Sequence, residues 1–600
     1  MLVAWQSFPL VPAPGGDSSW GAGLAMAIHD GLTFGTQVVF TYGPLGFLDV
    51  TPLWFDHLGV LAFAYIVLMR FGLATALYAG ARQNFGPVGA FVLAAVVASV
   101  DGELPEMVIV LILSVWIATH VTDRRRLLLF TLAIGAFAGF ESLTKISYGL
   151  AIAVMDAALV LSLPGRRRDY AAAAAAGGVV TLLVLWLVLG QAISALPAYV
   201  ENSGQIVSGY AAAMSSGVAP GFYWQFTAAF LLLGLGLWAA WHTTADGPPR
   251  RRLGVALLWA AFWFFAFKES FVRWDTPHAT ALFVAALGGF LAFRWRRDHR
   301  WAALVGTATM LTLALAVQGQ SFTGDVDPSR NVSDAVAEFK ADLNPTTQAA
   351  LTAAGRAEIQ SAEPIDPASL NLLRGHTVTI FPQEIALAWA YGLDWRPIPV
   401  LQSYSAYTAG LDRLDAQFLA SRRAPDRILL QPPTDIDLRV PSFDQPMAIR
   451  TLLCRYHLLR KTRALAILGR NVNRCSAVTP LVTYEVDWNQ AVPVPAPPNS
   501  HSLVLVRIGG VGVSGFERLK ALFWEPAMRY VMLNGGAPNR LVGATAADGL
   551  PLRAAPGVDL PAPFSIAPDV KFIAVAKSGQ GRTGGRPITY RFYAQSFSSP

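Results

Sequence analysis

"DRRRLLLFTLAIGAFAGFESLTKISYGLAIAVMDAALVLSLPGRRR", residues 123–168, decides how the whole chain is read. Two apolar runs, 127–143 and 147–163, meet at the polar stretch ESLTKIS, and their outer ends carry Arg124–Arg126 and Arg166–Arg168. Apolar runs of this length suit a hydrocarbon core of ~30 Å. Arginine clusters in short loops mark the cytoplasmic side of such spans. The stretch therefore reads as a transmembrane hairpin with ESLTKIS on the far face.

The same alternation extends in both directions. Spans are expected at 58–80, 86–101, 104–121, 127–143, 147–163, 171–192, 223–241, 253–269, 278–294 and 301–318. Arg82, Arg250–Arg252, and Arg294 with Arg296, Arg297 and Arg300 fall in the same set of alternate loops as the two triplets. The other loops are acidic or mixed: DGELPE at 101–106, ESLTKIS at 141–147, the long 193–222 loop, and KESFVRWDTPH at 268–278. Ten spans in this order leave every arginine cluster on one side, which makes the protein a polytopic α-helical membrane protein.

Composition agrees. The chain is 54 % hydrophobic and 14 % charged, with a mean hydropathy of +0.42, outside the usual range of soluble globular proteins. The net charge of +7 is accounted for by loop arginines, so no nucleic-acid partner is expected. No secretory signal with a cleavage site is present. Met1–Pro14 is too short to span and reads as the stump of a first helix that begins upstream. Two ionisable residues, Arg70 and Asp156, fall inside spans. Such charges are costly and face the bundle interior or water. They read either as a buried pair or as part of a substrate path, the structural role being preferred.

Beyond about residue 318 the apolar runs shorten to strand length. Residues 319–477 read as an α/β region: HTVTIF, RPIPVL and DRILLQ as strands, PQEIALAWAYGL and AGLDRLDAQFLAS as helices. From 478 to 600, short strands punctuated by Pro and Gly suggest a β-sandwich of jelly-roll kind. The expected organisation is thus a first span and exterior loop with an interfacial helix over 1–57, a transmembrane domain over 58–318, and two extracytoplasmic domains after it. Cys454 and Cys475, the only cysteines, lie in the exterior half and are expected to pair as a disulfide. GGVGVSG at 509–515 has a GxGxxG spacing, but no acidic residue follows at the distance a dinucleotide site requires. It reads as a glycine-rich connection. No Walker A pattern supports ATP-driven transport.

Function is sought where polar residues meet the membrane. In GGDSSWGAGLAMAIHDG, Ser18 or Ser19 can cap a helix whose Trp20, Leu24 and Ile28 recur at helical spacing. Such a helix would lie on the membrane surface and hold Asp17 near the headgroups. FTYGPLGF then returns the chain toward the bilayer. An aspartate, a surface helix ending in a Gly turn, and an aromatic-Gly-Pro stretch before a span together resemble the first exterior loop of GT-C glycosyltransferases. These polytopic enzymes, among them protein mannosyltransferases, the aminoarabinose transferase of lipid A and arabinofuranosyltransferases, take sugars from polyprenyl-phosphate donors. The chain departs from the lipid A enzyme and its relatives at Tyr42 and Gly43, where they carry an acidic-basic pair.

The resemblance implies that Asp17 is a general base toward the acceptor hydroxyl, with a second exterior acid helping directly or through a divalent metal ion. DGELPE offers Asp101, Glu103 and Glu106 for that part. Lys268, Arg273 and His278 supply cations on a face otherwise poor in them, as a lipid phosphate requires. Lys145 and Glu141 are further candidates. The expected activity is transfer of a sugar from a polyprenyl-phosphate donor to a cell-envelope glycan, lipid or protein, at the outer face of a bacterial cytoplasmic membrane. A transporter or flippase of lipid-linked sugars, or a non-catalytic envelope scaffold whose sandwich binds carbohydrate, are the alternatives.

Overall fold

The computed structural model describes residues 1–99, 104–216, 223–274, 276–295, 306, 327–432, 436–513, 515–523, 525–558, 570–578 and 587–598. The chain forms two compact units, each discontinuous in sequence. One comprises Met1–Val11, Tyr42–Ile193 and Ser215–Thr352; the other comprises Pro12–Thr41, Ser194–Met214 and Ala353–Pro600.

The first unit is helical. Among the described residues, five of its helices are long and apolar enough to cross a membrane: Leu58–Arg82, Arg124–Thr144, Arg167–Val188, Trp224–Thr243 and Pro249–Val272. Four shorter apolar helices accompany them at Pro87–Ala98, Pro105–His120, Ile146–Ser162 and Thr276–Phe290. In chain order these nine are α2–α10 below, α1 being the helix Gly16–His29 of the second unit. The helices fall at the positions of nine of the ten expected spans, five of them long and apolar enough to cross; apart from Gly306, the tenth, 301–318, lies outside the described residues. At 12 residues, α3 rises about 18 Å, well short of the ~30 Å core. Gly86 caps it, Pro87 starts it, and Ser99 ends it with a hydroxyl bond back to the Ala95 carbonyl.

Small residues set the helix spacing. A Cβ on Gly139 of α5 (Arg124–Thr144) would collide with the Gly178 carbonyl of α7 (Arg167–Val188), and one on Gly135 would meet Ala174. With no hydrophobic gain available inside a bilayer, such backbone approach is a main source of helix association. Helices α8 (Trp224–Thr243) and α9 (Pro249–Val272) are joined by indoles one turn apart. Trp259 Nε1 donates to Leu233 O at 3.1 Å, and Trp263 Nε1 to Ala229 O at 2.8 Å. At the arginine-bearing ends, Asn84 bonds both Phe293 O and Trp295 N, and Arg124 pairs with Asp169. Opposite ends therefore collect the connections that lack arginine triplets.

Arg70 and Asp156 do not pair. Arg70 lies 4.2 Å over the Trp5 ring and 5.1 Å over Phe8, and donates to Gln6 O. Trp5 Nε1 in turn donates to Glu338 Oε2 at 2.7 Å. Arg70 thus anchors Met1–Val11 beside the helix Pro328–Leu343, a structural role. Asp156 is 2 % exposed, and neither carboxyl oxygen has a hydrogen-bond partner among the described residues.

The second unit contains three sheets. β1 (Thr377–Phe381) runs parallel to β2 (Asp394–Trp395) and β3 (Arg427–Leu430), and β4 (Tyr456–Lys461) and β5 (Ala466–Arg470) extend the sheet antiparallel in the order β2-β1-β3-β5-β4. RPIPVL, expected as a strand, forms none; Pro397 and Pro399 remove ladder donors, and only Val400 bridges to Val39. The sandwich is built of β6 (Thr479–Val486), β7 (Val492–Pro493), β8 (Ser502–Gly509), β9 (Arg529–Leu533), β10 (Asn539–Arg540), β11 (Leu550–Ala554), β12 (Phe572–Lys577) and β13 (Ile588–Ser596). Its two four-stranded antiparallel sheets are ordered β10-β9-β12-β7 and β11-β8-β13-β6. The GGVGVSG connection leads from β8 to a helix at Gly515–Phe523, yet β8 and β9 lie in different sheets, so no βαβ unit exists there. The expected disulfide Cys454–Cys475 is formed.

Helix α1 corrects the expected interfacial helix. It starts at Gly16 with Gly15 as N-cap, so neither Ser18 nor Ser19 caps it. Ser19 Oγ instead accepts Ala386 N at 2.8 Å, and Gly23 sits against Ile385 and Leu401. Gly21 through Ala27 are buried. Its small residues, not its spaced large ones, make it an interior helix of the second unit.

Candidate functional site

In the helical unit, α5 ends at Thr144 and α6 (Ile146–Ser162) begins at Ile146, with Lys145 extended between them. Gly149 makes the tight join possible, since a Cβ there would collide with Ser142. The exposed backbone edge of the break is used. Gly43 N donates to Thr144 O and Leu45 N to Leu143 O, both at 2.8 Å, and Tyr42 bridges to Lys145. The FTYGPLGF stretch is therefore strapped onto ESLTKIS, the polar centre of the hairpin that opened the sequence reading.

Around this strap the arginine-free helix ends bring in titratable side chains. Lys145 Nζ lies 2.7 Å from Glu269 Oε1, contributed by the last turn of α9. The Lys145 side chain is 9 % exposed and that of Glu269 32 %. The ammonium also sits 4.3 Å from the Tyr148 ring centroid and 5.4 Å from that of Tyr42, so two aromatic faces supplement the ion pair. His278, in the first turn of α10 (Thr276–Phe290), lies within electrostatic reach of Glu269.

A second group lies alongside. Tyr65 of α2 (Leu58–Arg82) places its hydroxyl 3.0 Å from Glu141 Oε1 and 3.3 Å from Glu106 Oε1. Glu106 occupies the first turn of α4 (Pro105–His120), Glu141 the last turn of α5, and they are 2 % and 0 % exposed. Each keeps its Oε2 without a hydrogen-bond partner among the described residues. The exposed Asp49 lies within electrostatic reach of both glutamates and of Tyr65 and Tyr148, which links the two groups. Burying unsatisfied carboxylate oxygens among apolar helices is costly, and such groups concentrate at functional sites.

The sequence-derived candidates distribute as follows. Lys268 is half-buried beside Glu269 on α9, and Arg273, just past that helix, bridges through its backbone to Ser216. With His278 they surround one turn, and His278 is the member tied to the Lys145–Glu269 pair. Asp101 and Glu103 lie outside the described residues. Asp17 is exposed in the second unit, where its Oδ1 accepts Trp20 Nε1 at 3.3 Å, and it lies within electrostatic reach of Glu384 and Tyr404. Tyr65, Tyr148 and Asp49 were not singled out from sequence. A tyrosine within an apolar run carries no signal of its own, whereas Glu106, Glu141 and Lys145 stood out as charges at span ends. Among the described residues, no three or more His, Cys, Asp or Glu side chains converge as metal ligands.

Family models, curated proteins and solved structures were compared with the chain, and none matches. What stands is the architecture: apolar helices that fit a membrane protein, joined to a strand-containing C-terminal region.

Proposed function

We propose that the polar end of the helical unit transfers a sugar from a polyprenyl-phosphate donor to a hydroxyl of a cell-envelope glycan, lipid or protein. The observation that carries this reading is the joining of two buried carboxyls and a buried lysine at the strap. General base and phosphate-facing cation are the two functions such a transfer needs. The GT-C resemblance of the same FTYGPLGF segment adds to it. In the step, the acceptor oxygen bonds to the anomeric carbon while its proton passes to a carboxylate of the Glu106–Glu141 pair. The bond from that carbon to the phosphate oxygen breaks, and the electron pair leaves with polyprenyl phosphate. Lys145, with Lys268, Arg273 and His278 at the neighbouring turn, faces the phosphate. Tyr42, standing where the lipid A enzyme and its relatives carry an acidic-basic pair, contributes an aromatic face to Lys145 in place of a charge. On this reading the polar end faces away from the cytoplasm of a bacterial cell, as the arginine distribution favours.

Asp156, buried within α6 with unpartnered oxygens, favours a second reading, movement of a lipid-linked sugar across the bilayer. The test uses the full chain in nanodiscs or proteoliposomes with radiolabelled polyprenyl-phosphate sugar and cell-wall acceptor. Label in the acceptor supports transfer. Label crossing the bilayer without transfer supports the transporter, and neither outcome leaves only a scaffold.

A further inference from the structure

The Glu106–Tyr65–Glu141 group constrains its own protonation. A tyrosine hydroxyl has one hydrogen to donate and lone pairs to accept with. Tyr65 Oη is within hydrogen-bond distance of an oxygen on each glutamate. If both carboxyls were ionised, only one of those contacts could be a hydrogen bond, and the other would press an oxygen lone pair against an anion. Both become hydrogen bonds only when one carboxyl carries a proton and donates it to the tyrosine oxygen. Burial points the same way. Among the described residues neither carboxyl has a cation at hydrogen-bond distance, and Asp49, which is in reach of both, has the same sign. Two full negative charges side by side in apolar surroundings would carry the desolvation cost twice and their mutual repulsion besides.

We propose that Glu106 and Glu141 hold a single proton between them, with Tyr65 as the bridge. The two Oε2 atoms are buried without hydrogen-bond partners among the described residues, and with the shared proton held at Tyr65 on the Oε1 side both of them are acceptors. Tyr65 acts here as a positioning residue: it fixes the proton between the carboxyls and relays it when the ionised member takes a proton from substrate. The groups facing the pair are Asp49 and, beside Glu141, Thr144; Asp49 in turn reaches Tyr148, with Lys145 and Glu269 beyond it.

This inference rests on the transfer reading only for its consequence in catalysis, and its test is independent of activity. Infrared spectra of the full chain in nanodiscs are recorded at neutral pH in an Asp156→Asn background, which removes the other orphaned carboxyl among the described helices, and each variant is subtracted from the parent so that protonated carboxyls of the second unit, Asp412 among them, cancel. A protonated carboxyl shows its own carbonyl absorption, distinct from the carboxylate bands. In Glu106→Gln and in Glu141→Gln alike, the amide supplies the missing donor to Tyr65 and the remaining glutamate is left ionised. A shared proton therefore predicts that either single substitution abolishes the same protonated-carboxyl band, and that Tyr65→Phe shifts it. Loss of the band in only one variant would place the proton on one residue for reasons of local burial. Survival in both, or absence from the parent, would mean the pair holds no proton. Each of those results overturns the proposal. A correct spectrum with no sugar transfer would leave the shared proton standing and remove the enzymatic reading alone.

Discussion

Replacing Lys145 by Met removes the charge while keeping most of the side chain's length and leaves Glu269 without its partner. Removing one member of a fully buried ion pair costs about 3–5 kcal/mol. The Glu269 side chain is 32 % exposed, so water recovers part of that loss and about 2–3 kcal/mol is expected for Lys145→Met. Glu269→Gln strands a cation whose side chain is only 9 % exposed, although two tyrosine rings remain against it, and about 3 kcal/mol is expected. In the double variant neither charge is stranded. The two losses should then fall short of their sum by about 2 kcal/mol, well beyond the ~0.3–0.5 kcal/mol within which independent sites add. The assay is reversible unfolding of the full chain in mixed micelles with increasing anionic detergent, followed by far-ultraviolet circular dichroism. Additive single effects would refute the claim that this pair ties the α5–α6 break to the end of α9.

Three further outcomes follow from particular residues. Gly139→Val drives a branched side chain into the Gly178 backbone of α7 and should destabilise by at least ~1–3 kcal/mol in the same assay. Gly234→Ala, where nothing lies within 4 Å of the added carbon, should be neutral or gain up to ~1 kcal/mol. Cys454→Ser opens a loop of 21 residues and should cost the second unit about 3 kcal/mol, read as an earlier thermal transition that reductant reproduces in the parent. Asp412, buried in the second unit, has its carboxyl pushed up to about 7 by burial, against opposing bonds from Met447 N and Ala448 N. Its folded-state value lies above the unfolded one. The stability it contributes is therefore fully present below the ordinary aspartate range and is lost as pH rises through about 7. Asp412→Asn should flatten that slope in thermal scans across the window, and an unchanged slope would contradict the assignment.

Much of the helical unit was legible because its signal is coarse. Apolar length and arginine placement do not depend on which residues touch, and they located the helix ends within a few positions. The strands of the sandwich showed by alternation, while RPIPVL misled because β-branched and apolar residues outweighed what two prolines do to a ladder. Helix α1 misled for another reason. Trp20, Leu24 and Ile28 suggested one apolar stripe, but Gly21, Ala22, Gly23, Ala25 and Ala27 are what let it be buried on several sides. At the site, charges at span ends announced Glu141 and Lys145. Tyr65 gave no warning, since its importance lies in being within reach of two glutamates from other helices, and pairwise distance across a bundle is not written in periodicity.

The measurement that bears most directly on the central claim is single-turnover transfer from radiolabelled polyprenyl-phosphate sugar, comparing the parent with Glu141→Gln, Lys145→Met and Asp17→Asn. The account predicts transfer by the parent, loss of at least ~100-fold when the carboxyl pair or the lysine is altered, and near-parental transfer by Asp17→Asn. Parental rates in Glu141→Gln together with abolished transfer in Asp17→Asn would contradict it, and would return the base to the residue indicated by the GT-C resemblance.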